Sequence, residues 1–299
     1  MNSLVPGLPA EPSFESSRQS RLSPEDREAL ERAIGDLECS SFAIRICGIL
    51  GQRASALAAA VPPQLAQIAG RAAEAAVRAS LGLALRSLAG RPLADRRRIH
   101  RTAAALAGAA GGAFGLPTLA LELPFSTTIM LRSIADIARA EGHDLTDPLS
   151  ALACIEVFAL GTQARDKSWP EFPGRSEEGA LLGEAAGLEA GYFGLRAVLA
   201  KTISEAAEYL TRRGIMSEAA PALVRFMTQV GSRFGVAVSQ KLLAQTVPIV
   251  GALSGAAINY AFADHFQRIA RGHFTVLRLE RRYGGAAVRA EYEVMRNRI

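Results

Sequence analysis

The chain has 299 residues and a mass of 31.6 kDa, and 49% of its residues are hydrophobic, which is enough to bury a substantial core and excludes a chain disordered throughout. Its 34 Lys and Arg against 29 Asp and Glu leave a net charge of +5, and the whole excess lies in Gln267–Ile299, where eight Arg meet three Glu. Cys39, Cys47 and Cys154 form no C-x-x-C pair, and a helix would hold the first two about 12 Å apart, which argues against a disulfide scaffold.

Residues 1–23 carry Pro6, Pro9 and Pro12 among Ser, Glu and Arg, with no basic start followed by an apolar run. They predict a disordered leader, not a signal peptide. Structure is expected from Ser23-Pro24-Glu25-Asp26, where Ser caps a helix, Pro fits its first turn and Asp26 completes a capping box. Leu30, Ile34 and Leu37, then Phe42, Ile46, Ile49 and Leu50, recur at helical spacing until Pro62-Pro63. An Ala-rich helical pattern follows over about 64–88, and another helix opens at Asp95. Thr146-Asp147-Pro148 repeats the cap-then-proline signal and predicts a helix carrying Cys154, Glu156 and Phe158 to about Gln163. Trp169-Pro170-Glu171-Phe172-Pro173-Gly174-Arg175 reads as a loop. Helices are expected at about 177–188, 190–213, 217–245 and 252–271, and over much of the Arg-rich tail. No stretch alternates as a strand does, so the prediction is an all-α fold of roughly ten helices in one domain spanning 24–299.

Thr102–Leu121 and Leu242–Ala263 contain no charge, and each is long enough to cross a bilayer at about 20 residues per span. Their Gly, Pro, Gln and Asn content makes insertion marginal. Gly108 and Gly112, like Gly251 and Gly255, lie four apart, so a helix places each pair on one face where another backbone can approach closely. Close packing in a soluble bundle and shallow, reversible membrane insertion are both compatible with that pattern. The glycines around Gly111 are not a phosphate loop, since no Gly-Lys-Ser/Thr follows and no strand precedes.

Several segments taken together resemble the EcsC family. They are Gly111–Pro117, Leu123–Phe125, Met130–Arg139, Gly142–Asp144 and Gly191-Tyr192-Phe193-Gly194-Leu195-Arg196. The C-terminal pieces are Val247–Ala252, Asn259–Phe262, His265–Phe274 and Leu279-Glu280-Arg281-Arg282-Tyr283-Gly284. The resemblance spans about 105–284, and residues 1–90 contribute little to it. It implies a bacterial protein acting near the inner face of the cytoplasmic membrane, because the family is named for the third product of an operon that also encodes an ABC transporter's ATPase and membrane subunit. It implies no catalytic residue and no cofactor.

The residues themselves offer few chemical groupings. His265 and His273 are eight apart, about 12 Å along an unbroken helix, so they share no metal unless Gly272 breaks that helix; no metal site is expected. Ser126, Cys154 and Ser254 have no activating context as nucleophiles. Glu122 and Glu156 stand among apolar residues, where a buried carboxylate needs a partner or water. Arg132 with Asp136, and Asp264 with Arg268, are spaced to pair along a helix. The alternative is a polar cavity between the two uncharged stretches where Glu122, Asp136, Asn259, Asp264 and His265 converge on a ligand. A faint echo relates Ile137-Ala138-Arg139 before Gly142-His143 to Ile269-Ala270-Arg271 before Gly272-His273.

The basic tail can meet an anionic lipid surface or an acidic partner. With only Tyr283 and Tyr292 after Phe274 for stacking, and no binding fold, nucleic acid is not an expected partner. The expectation is therefore a non-catalytic, membrane-peripheral accessory protein working with a transporter or secretion machinery. A hydrolase using a carboxylate and histidine cluster is the rival.

Overall fold

A computed structural model describes residues 22–38, 69–78, 119–161, 191–213, 221–246 and 251–298, with side chains described over 123–161, 191–212, 221–242 and 256–298 within the longer spans. The described residues form eight helices and no strand. They are α1 (Pro24–Glu38), α2 (69–78), α3 (Leu119–Ala140), α4 (Pro148–Leu160), α5 (Tyr192–Arg213), α6 (Pro221–Thr246), α7 (Gly251–Tyr283) and α8 (Gly285–Arg296). The leader, the helices expected at 177–188 and from Asp95, the loop at 169–175, Gly108 and Gly112 lie outside the described residues.

Helix starts follow their local signals. Asp147 caps α4 by accepting from the backbone N–H groups of Leu149 and Ser150, with Pro148 in the first turn, as that tripeptide predicts. The α4 helix stops at Leu160 and not near Gln163, because Gly161 serves as its C-cap. The described part of α6 begins at Pro221, where proline fits the first turn of a helix; the expected start at 217 lies outside the described residues. At α1, Ser23 Oγ accepts from Asp26 N–H at 3.2 Å, but the capping box is not reciprocated. The Ser23 N–H donates to Tyr283 Oη at 3.3 Å, while Asp26 accepts from Tyr283 Oη (2.7 Å), Arg282 (3.0 Å) and Arg278 (3.1 Å). Burial works to raise the pKa of Asp26, yet these donors outweigh it and hold the carboxylate below its ordinary range.

The long axis of the bundle is α7, which packs against α1, α3, α4, α6 and α8. The expected helix at 252–271 and part of the basic tail are one continuous helix of 33 residues. Gly272 lies inside it without breaking it: a Cβ there would stand 2.6 Å from Leu37 Cγ and 2.9 Å from the Ala33 carbonyl oxygen, so glycine is what lets α1 seat on α7. Its counterpart in the sequence echo, Gly142, has φ +76° and follows the end of α3, so the two copies play different backbone roles. Gly231 and Gly235, four apart on α6, meet the backbone of Glu74 and Gly70 on α2 in the same manner. Gly251 and Gly255 lie in the first turns of α7, ahead of its described side chains.

From residue 256 onward the second uncharged stretch turns Ile258, Ala261, Phe262 and Ala263 into the core, where Phe262 meets Phe234 of α6 and Phe266. No helix among the described residues is long and apolar enough to cross a membrane. The basic tail is folded into the bundle: Arg271 pairs with Asp36, Arg278 with Asp26 and Glu141, Arg282 with Asp26, and Arg296 with Glu293.

Replacing Asp26 by Ala leaves Arg278 and Arg282 without their shared acceptor and should cost about 2–4 kcal/mol in a urea unfolding curve. Gly272→Ala should cost about 1–3 kcal/mol by forcing α1 away from α7, seen as a lowered thermal midpoint.

Candidate ligand-binding site

The α4 helix is so rich in apolar residues that all ten positions from Ala151 to Leu160 are buried, Glu156 among them at 5% exposure. A carboxyl carried into that position has to find charge compensation or stay protonated. Across from it, the start of α5 supplies Tyr192 and Arg196, and α7 supplies His273 and Glu280, about two turns apart on one face. These four residues all come from segments that carry the family resemblance.

Tyr192 Oη lies 2.8 Å from His273 Nδ1, and His273 Nε2 lies 3.5 Å from Glu156 Oε2, a contact too long for a well-formed hydrogen bond. Among the described residues no hydrogen bond reaches the Glu156 carboxyl, and His273 Nε2 has no hydrogen-bond partner. Arg196 makes a two-pronged pair with Glu280, at 2.9 and 3.1 Å, and its guanidinium sits 5.3 Å from the Tyr192 ring centroid. Tyr192 stacks on Tyr292 of α8 with centroids 5.8 Å apart. Glu38, the last residue of α1, ties the far side together by accepting from Tyr292 Oη (2.8 Å) and from the Tyr192 backbone N–H (3.3 Å) at the start of α5.

Burial pushes the Glu156 carboxyl up to about 7; Arg196 pulls against that shift and Glu280 adds to it. Burial, reinforced by the Arg196 charge, holds His273 well below its ordinary range, so its imidazole is neutral near pH 7.

Glu156, Arg196 and Glu280 form the floor of a cleft of about 930 Å³ bounded by α4, α5, the end of α7 and the start of α8. Its walls include apolar Leu149, Phe193, Ile203 and Leu277. Leu149 is 51% exposed, an apolar side chain left uncovered at the cleft. Arg281 and Arg289 reach the same space; Arg281 donates to the carbonyls of Gly142 and Glu141, and Arg289 lies 5.5 Å from the Phe193 ring centroid.

Of the five residues expected to share a cavity, four have described side chains, and these have other partners or positions. Asp264 pairs with Arg268 at 3.2 Å, and His265 Nε2–H donates to the Gly161 carbonyl at 2.7 Å. Asn259 is buried on α7, Asp136 is half-buried on α3, and the Glu122 side chain lies outside the described residues. None of the four with described side chains lines the cleft. His265 and His273 stay eight residues apart on an unbroken α7, and the described residues contain no His, Cys, Asp or Glu group able to hold a metal ion. Of the cleft residues, only Glu156 is marked in the sequence by its buried carboxyl; its partners lie on distant segments, with Tyr192 and His273 themselves 81 residues apart.

A helical bundle with an amphipathic cleft over a buried acid and histidine is the class of protein that this geometry defines. The sequence profile described as the EcsC protein family matches residues 63–279, and the chain belongs to that family. The match reaches back to residue 63, ahead of the resemblance that the motifs carry from about 105. No curated protein and no solved structure matches the chain.

An acid whose pKa is raised on folding binds its proton more tightly in the native state, so stability is greatest below its unfolded value near 4.5 and falls as pH rises toward 7. His273 acts in the opposite sense below about 6.5, but it is common to wild type and variant. Glu156→Gln should therefore match wild type at about pH 5 and exceed it by about 2–3 kcal/mol at about pH 8.5 in denaturant unfolding. A variant less stable than wild type at the higher pH would mean that the ionised carboxylate is well compensated.

Proposed function

We propose that this EcsC-family chain is a non-catalytic accessory protein, peripheral to the inner face of the bacterial cytoplasmic membrane and working with an ABC transporter or secretion machinery, and that its cleft is a ligand-binding site. The observation that carries the ligand-binding part is the Glu156 carboxyl, buried at the floor of a 930 Å³ cleft with no hydrogen bond among the described residues. The carboxyl opens onto the cleft, where a bound molecule can supply the hydrogen bonds that the described residues do not. Cavities of about 300–1,000 Å³ with mostly apolar walls and a few converging polar groups are the usual form of small-molecule sites.

The non-catalytic reading draws support from the reactive side chains near the cleft. Burial pushes the Cys154 thiol up to about 12, so it is no thiolate nucleophile. The hydrolase alternative rests on the contact of Glu156 with His273, a carboxylate and histidine pair different from the one expected. It would have Glu156 act as a base on a water in the cleft, and it requires Glu156→Gln to lose function outright.

Membrane association is supported by the exposed arginines of α7 and α8 and by the operon context that the family resemblance implies. The full chain should sediment with phosphatidylglycerol vesicles at low salt, bind phosphatidylcholine vesicles weakly, and be released from the former by moderate salt. A chain that stays in the supernatant with anionic vesicles at low salt overturns the membrane part of the proposal. Complementation of a deletion strain by Glu156→Gln separates the two chemical readings: retained function favours ligand binding, and complete loss with intact stability favours the hydrolase.

A further inference from the structure

Most of the polar groups lining the cleft are already committed to the protein. Arg196 and Glu280 hold each other in a two-pronged pair. Asp147 accepts from the backbone N–H groups of Leu149 and Ser150 and from the Ser150 hydroxyl. His143 Nε2 stands 3.4 Å from the Phe274 carbonyl oxygen, and Arg281 donates to the carbonyls of Gly142 and Glu141. Glu156 differs from them. Its side chain is buried yet opens onto the cleft, and among the described residues no hydrogen bond reaches its carboxyl. The lining holds three arginines and three carboxyls, an equal number of each sign. Around Glu156 itself the Arg196 and Glu280 charges act in opposite senses. A cationic head brought to Glu156 would also approach Arg196, and an anionic head would approach Glu280. Either would give up its water without a counter-charge that is not already shared.

We propose that the cleft takes an uncharged amphiphile with a hydroxyl head, its chain against Leu149, Phe193, Ile203 and Leu277 and its hydroxyl on the carboxyl of Glu156. This rests on the reading of the cleft as a ligand site and names the class of ligand it accepts. A hydroxyl donates to a carboxylate and accepts from a protonated carboxyl, so it completes the hydrogen bonding of Glu156 in either form. An ether oxygen only accepts, and a hydrocarbon does neither. The apolar walls, with Leu149 left uncovered, supply the surface that a chain buries. The hydroxyl can belong to a free long-chain alcohol or to the glycerol head of a neutral lipid, since both present the same group at the end of an apolar chain.

Octanol is a suitable probe, and methyl octyl ether is a control that keeps the chain and cannot donate. Calorimetry on the full chain at about pH 7.5 should show octanol binding at least about tenfold more tightly than methyl octyl ether, octanoate or octylammonium. Glu156→Leu should bring octanol down to the affinity of the ether, whereas Glu156→Gln, whose carboxamide still donates and accepts, should keep it close to wild type. Ala200→Trp, at an exposed position of α5 lining the cleft, should abolish binding with an unchanged thermal midpoint. Octanoate or octylammonium binding as tightly as octanol, and blocked by Ala200→Trp, overturns the uncharged head and leaves the ligand site standing. Methyl octyl ether binding as tightly as octanol, or octanol affinity unchanged in Glu156→Leu, overturns the role given to the carboxyl. Octanol binding undisturbed by Ala200→Trp, or no probe bound at all, overturns the cleft as a ligand site and this proposal with it. Competition by phosphatidylcholine vesicles containing monoolein, beyond that by phosphatidylcholine alone, assigns the hydroxyl to a membrane lipid, and its absence assigns it to a ligand in solution; the chemical class holds in both cases.

Discussion

The close seating of α1 on α7 is the contact on which the rest of the arrangement depends. It is possible only because Gly272 presents no side chain to Leu37 and to the Ala33 carbonyl. At one end of α1, the approach brings Asp26 to the arginines and tyrosine that end α7. At the other end, it brings Glu38 to the first backbone N–H of α5 and to Tyr292 of α8. Tyr192 is thereby held at the start of α5, its ring against Tyr292 and its hydroxyl on His273. The histidine in turn stands against Glu156. A steric condition at one glycine is transmitted through five side chains to the floor of the cleft.

Charge follows the same logic. A net excess of arginine at the end of a chain suggests a basic surface, but guanidinium groups have long stems and several donors, and the bundle uses them as cross-links. Arg271, Arg278 and Arg282 each reach a carboxylate on α1, and Arg278 also reaches Glu141, just past the end of α3. The arginines at the cleft behave differently: Arg196 is half-buried and pairs with Glu280, Arg281 donates to main-chain carbonyls, and Arg289 lies near the Phe193 ring. The cleft thus brings three arginines and three carboxyls to one space, with a Glu156 carboxyl that burial has made hard to ionise.

That combination separates this cleft from an ordinary surface depression. At and beneath the floor an acid and a histidine touch without completing a hydrogen bond, and desolvation disfavours the charged form of both, pushing Glu156 up to about 7 and His273 well below its ordinary range. Proteins tolerate such incomplete polar pairs where a ligand or proton completes them, since the local cost is carried by the apolar packing around it. Here that packing is the buried face of α4 and the aromatic cluster of Phe158, Phe234 and Phe266 beneath it.

The amino-acid sequence by itself determined the helical class, the caps at Ser23 and Asp147, most helix bounds to within a few residues, and the family. Each of these is a local property, set by spacing at three and four, by side chains that cap their own backbone, or by motifs read in order. It also marked Glu156 as a carboxyl in need of a partner, because the apolar run around it is visible in one dimension. Tertiary structure alone decided which partner it meets. Glu122, Asp136, Asn259, Asp264 and His265 share the same polar character in the same kind of surroundings, and nothing in their spacing separates them from Tyr192, Arg196, His273 and Glu280. The difference lies in helix rotation and in the glycine contacts that set how near two axes come. At Gly272 the sequence leaves both a break and a close contact open, because a glycine that ends a helix and one that admits another helix are the same residue until the neighbour is in place.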